Sequence, residues 1–187
     1  MQLILDNLVS TAIVGTVGLL IVGVTLGRAE ADRDSVRFYA HQQAQVPFTD
    51  MLERDLTDAG MMTPPGETPV QSITSSSVAF HGRSDGVSAV VEYRRVPAGV
   101  ADGVPVFRVE RRIDGTLAGS SSDTVSRFDL RPLAADGTPT AVPEDVRMIG
   151  VDMEWTLPFV EAGGAGARQA ARRSAWSTVI RPIAFDR

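Results

Sequence analysis

Apolar residues fall into two patterns along the chain, and the border between them lies near Pro64-Pro65. Between Leu8 and Leu26 no residue is charged. A helix rising ~1.5 Å per residue needs about 20 apolar residues to cross ~30 Å of hydrocarbon, so this run predicts a helix that spans a bilayer or is buried all round in other protein. From Arg28 to Ala59 the composition turns charged, with Gln and Ala, and apolar residues recur at Val36, Tyr39, Ala40, Ala44, Phe48, Met51, Leu52, Leu56 and Ala59. Spacings of three and four place them on one stripe, the signature of an amphipathic helix lying on a core. Pro47 predicts a kink or short break near Gln45 to Phe48, Gly60 ends the helix, and Pro64-Pro65 forbids its continuation.

After Pro65 the period becomes two, with many β-branched residues. Strands are expected at Val70 to Phe80, Val87 to Val96, Val104 to Ile113, Thr124 to Leu130, Val146 to Leu157 and Ser174 to Ile183. Asp85-Gly86, Asp102-Gly103, Asp114-Gly115 and Asp136-Gly137 fall at or between these runs, where glycine supplies the positive φ of a tight turn. Short turns favour an antiparallel meander. Gly119 to Asp123 reads as a turn, and Glu161 to Arg173 as a mobile Gly/Ala/Arg loop. The expected division is 1-27, an N-terminal transmembrane or filament-core helix; 28-60, its amphipathic continuation; and 61-187, an antiparallel β-sheet domain.

A basic leader and an Ala-x-Ala-like cleavage site would mark the apolar run as a removed signal peptide; neither is found, so the helix is expected to be retained. The 18 basic residues are all Arg and the net charge is -5. That balance argues against a nucleic-acid partner, which needs a clustered positive surface. With no cysteine, disulfides and thiolate metal sites are excluded. His41 and His81 stand alone and read as surface residues, the Ser75 to Ser77 and Ser120 to Ser122 runs lack the setting of a nucleophile, and no phosphate loop occurs. The expectation is no enzyme, no cofactor and no metal. Asp50/Glu53 and Asp55/Asp58 read as a solvated helix face with Arg54 as counter-charge.

The helix offers candidates for assembly. Gly15, Gly18, Gly23 and Gly27 are frequent for an apolar helix, and Gly23-x-x-x-Gly27 allows close approach of a partner helix. Asp6, near the start, costs several kcal/mol if it enters hydrocarbon unpaired, so it stays at headgroup level or pairs with a cation such as a neighbour's amine. Arg168, Arg172 and Arg173 concentrate positive charge in the 161–173 loop, which reads either as a solvated linker between two strands or as a site suited to docking on a carboxylate-rich partner.

The order of apolar helix, amphipathic continuation closing in Phe48-Thr-Asp-Met-Leu-Glu-Arg-Asp-Leu-Thr-Asp-Ala-Gly60, and antiparallel sheet resembles type IV pilin-like proteins, in particular minor pilins and minor pseudopilins of pili and type II secretion systems. Leu52, Asp55, Leu56, Ala59 and Gly60 match that family's Leu-x-x-Asp-Leu-x-x-Ala-Gly-like phrase, and Val-Ala-Phe-His-Gly, Val-Glu-Tyr-Arg-Arg-Val and the final Ser-Thr-Val-Ile-Arg-Pro follow its layout. The resemblance implies an α+β pilin-like fold, a long helix packed on an antiparallel sheet. It also implies a structural subunit of a cell-envelope filament or secretion apparatus, whose partners are other pilin-like subunits through the helix and the lipid bilayer before assembly. Counted from Gln2, Asp6 is the fifth residue, where the family carries a glutamate that pairs with a neighbour's N-terminus. Arg28, Arg33 and Arg37 follow the helix, which by the positive-inside rule places the domain in the cytoplasm; the resemblance implies a single-pass anchor in the cell membrane with an extracytoplasmic domain. The alternative is a membrane-anchored extracytoplasmic binding module that does not assemble.

Overall fold

In the computed structural model, residues 2–84, 86–101, 103–157 and 172–186 are described, with helix side chains at 14–29, 32, 33, 36, 43 and from Gln45 onward. Helix α1 runs Gln2–Thr57, and the strands are β1 (Val70–Ile73), β2 (Ser77–Ser84), β3 (Val87–Ala101), β4 (Val104–Ile113), β5 (Thr116–Ser120), β6 (Val125–Leu133), β7 (Met148–Leu157) and β8 (Arg172–Ile180). All eight form one antiparallel sheet in the order β1-β2-β3-β4-β6-β7-β8, with β5 paired to β4.

The pilin-like α+β expectation, a long helix packed on the sheet, is overturned: the body of the protein is the eight-stranded sheet, and among the described residues the core takes only a short piece of helix. That piece is Phe48, Leu52, Leu56 and the following Ala59, which join Val78, Phe80, Tyr93, Val109, Phe128, Ile149, Val151, Met153 and Trp155 in a single cluster. Val36, expected on the packing stripe, is 67% exposed. Period 3.6 places residues on one face of a helix, but it does not say how far along the axis a sheet extends to meet them.

Helix α1 also passes through Pro47 without the expected break. The carbonyl that Pro47 leaves unpaired belongs to Gln43, and both residues are exposed, so water can satisfy it. On the opposite side the Thr49 hydroxyl donates to the Val46 carbonyl at 3.0 Å and helps hold the turn. The helix stops where Gly60 takes φ +82° and donates its N–H to the His81 carbonyl of β2 at 2.6 Å. A Cβ at Gly60 would lie 2.9 Å from that of Pro69, so glycine is required both by φ and by space.

The meander is as expected, with differences at particular turns. Val70 to Phe80 is two strands, because the Thr74 hydroxyl accepts N–H bonds from Ser76 and Ser77 at 3.2 and 3.0 Å and turns the chain. Gly119 lies inside β5, which the Asp114-Gly115 turn, both residues at positive φ, folds back on β4. β8 starts at Arg172, so the end of the expected 161–173 loop is strand, while the stretch 158–171 lies outside the described residues.

Candidate assembly surface

The last turns of α1 are locked to the sheet by polar as well as apolar contacts. Asp55 lies in the register of Leu52 and Leu56, so it turns toward the sheet and not toward solvent as expected. Its Oδ2 accepts from Arg111 Nε at 2.6 Å and from the Tyr93 hydroxyl at 2.8 Å. The Asp55 and Arg111 side chains are only 10% and 13% exposed. Tyr93 and Arg111 are paired across β3 and β4, which presents both to the helix at one height. Burial, followed by the charge of Asp55 and the hydrogen bond to it, raises the Tyr93 hydroxyl far above its ordinary range. The Arg111 guanidinium is raised too: burial opposes the charge, and the bond and charge of Asp55 outweigh it. Phe48 meets the Tyr93 ring edge-on, with centroids 6.2 Å apart and planes at 80°.

A second ionic cluster sits on the opposite face of β3 and β4. Glu110, 5% exposed, accepts from Arg94, Arg108 and Arg112. Desolvation works against its charge, yet the bonds from Arg112, Arg94 and Arg108 hold the carboxyl below the usual glutamate range. His81 is also buried, contrary to its reading as a surface residue, and its Nε2 lies 2.7 Å from a Glu67 carboxylate oxygen. Among the described residues, no group of three or more His, Asp or Glu converges to hold a metal. The Ser75 to Ser77 run makes a turn, and Ser121 uses its hydroxyl to accept from Val109 N–H and donate to the Ser122 carbonyl.

The other end of α1 has the opposite character. Val14, Val17, Leu19, Leu20, Ile21, Val22, Val24 and Leu26 are all exposed, Leu19 by 76%. A Cβ added at Gly15, Gly18, Gly23 or Gly27 would meet nothing within 4 Å, so each lies open to an approaching helix. The Thr25 hydroxyl donates to the Ile21 carbonyl of its own helix and so carries no unsatisfied donor into an apolar setting. Among the described residues no helix is long and apolar enough to cross a membrane; Val14 to Leu26 rises only ~20 Å. The Asp6 side chain is outside the described set, as are Arg168 and the Arg172 side chain. The glycines therefore share one uncovered segment, and Arg173 stands exposed on β8 apart from it.

Tyr93, Arg111 and the Glu110 cluster were not singled out by sequence reasoning, and Asp55 was read as part of a solvated helix face. A signal existed for Asp55, three residues after Leu52 and one before Leu56. None existed for its partners, which depend on strand register. The chain matches no protein-family model, no curated protein and no solved structure.

Proposed function

We propose that the protein is a non-enzymatic structural subunit, of the minor pilin or minor pseudopilin kind, in a cell-envelope filament or secretion apparatus. Its N-terminal helix sits in a membrane before assembly and among the helices of partner subunits afterwards. The observation that carries this reading is the uncovered apolar segment Val14 to Leu26, continuous in one helix with a helix end locked into the sheet. An exposed apolar surface of that kind marks a protein or membrane contact, and four open glycines suit close helix approach. Asp6, by its place near the start of the apolar run, is the residue that would pair with a neighbour's amine.

The test is to replace Gly23 and Gly27 together with Val and to measure co-purification of partner subunits from membranes. Neither change is expected to touch the domain, because a Cβ added at either position would meet nothing within 4 Å beyond its own helix. Loss of partners with retention in the membrane fraction is the expected result. Partners retained at wild-type level would overturn close helix packing and leave an anchored binding module.

A further inference from the structure

The sheet has three free edges among the described residues, and they are built differently. β1 is four residues long, its pairing with β2 is interrupted by a bulge between Val70 and Ser72, and the Thr68 hydroxyl occupies the Val70 carbonyl at 3.0 Å. β5 is five residues long and its pairing with β4 is also bulged. Short length and bulges are the devices that stop a sheet from adding further strands. β8 has neither. It pairs with β7 over nine consecutive residues without a register shift, and Ser174 to Ile180 contains no charge and no proline. No backbone hydrogen bond joins β8 to any other described strand.

We infer that the outer edge of β8 is a strand-addition site for an extended segment of another protein chain, uncharged at its centre and acidic at its flank. Strand addition gains affinity from main-chain hydrogen bonds and specificity from alternate side chains. Trp176 is half-buried against the core at this edge, so a ninth strand would cover part of the indole that is left open. Charge selects the occupant. Arg173 is exposed with no ion pair among the described residues. An acidic flank on a different chain makes Arg173 a favourable partner.

The test uses the full chain in detergent and a nine-residue peptide of alternating Thr and Val with Glu at both ends, followed by hydrogen exchange. The peptide is expected to slow exchange in β8 by roughly tenfold or more and to leave β1 and β5 unchanged. N-methylation of the peptide at alternate positions removes the effect in one phase and not in the other, because only one set of amides faces the edge. Arg173→Glu weakens the Glu-ended peptide by about fivefold and spares a Lys-ended one. No protection of β8, equal tolerance of both methylation phases, or protection that grows with protein concentration without peptide would overturn the inference, the last by showing self-pairing.

Discussion

The two ends of helix α1 are made of similar residues and sit in opposite environments. Leu52 and Leu56 are fully buried, whereas Leu19, Leu20 and Leu26 are more than half exposed. The difference lies in what stands beside them. Near Leu52 the sheet presents Tyr93, Val109 and Arg111, and the helix answers with an apolar stripe interrupted once by Asp55, which has its own partners. Along Val14 to Leu26 no polar face exists to turn outward, so no orientation of this segment against a single sheet would bury it all. Apolar content alone therefore does not identify a core helix; a polar side and a facing surface do.

The comparison can be broken most strongly at Leu52. Leu52→Ala is expected to lower the unfolding free energy by about 2–5 kcal/mol, measured by urea denaturation, while Leu20→Ala is expected to change it by less than about 0.5 kcal/mol. Equal effects would mean that the two ends are not energetically distinct. Asp55→Ala comes next, at about 2–4 kcal/mol, because it leaves the nearly buried Arg111 guanidinium and the Tyr93 hydroxyl without their acceptor. Asp55→Asn should recover part of that loss, since the amide oxygen can still accept.

A smaller effect concerns alkaline pH. Tyr93 keeps its proton in the folded state well above the value near 10 of a free tyrosine. Above that point the unfolded chain releases a proton that the folded chain retains. This contribution to stability is full below about pH 10 and is lost progressively as pH rises toward the folded-state value. Tyr93→Phe is expected to cost about 1 kcal/mol at neutral pH and to flatten the decline in melting temperature above pH 10. A decline as steep as in the parent would assign the alkaline sensitivity to another group.

How much of this was legible in the sequence follows from the range over which each signal acts. The apolar run, the stripe from Phe48 to Ala59, the Gly60 stop and the Asp-Gly turns are local and were read directly. The sheet's meander followed from turn spacing. The place of Val36 was misread, because it fits the stripe by period and yet lies exposed. β5 was missed because Gly-Ser composition reads as turn, although its pairing is fixed by the preceding Asp114-Gly115 reversal. Asp55 was assigned to a solvated face by its charge, while its position between Leu52 and Leu56 pointed inward. The three arginines on Glu110 come from β3 and β4, and only the register between them brings Arg94 opposite Glu110.

Deletion of residues 1–27 tests the central claim most directly: that the exposed end of α1 is an attachment element and the domain's stability resides in the sheet and the helix end that it holds. The account predicts a soluble monomer by size-exclusion chromatography, with a β-rich circular dichroism spectrum and a single cooperative melt. An aggregated product, or one without a cooperative transition, would place the apolar segment in the domain's core and contradict it.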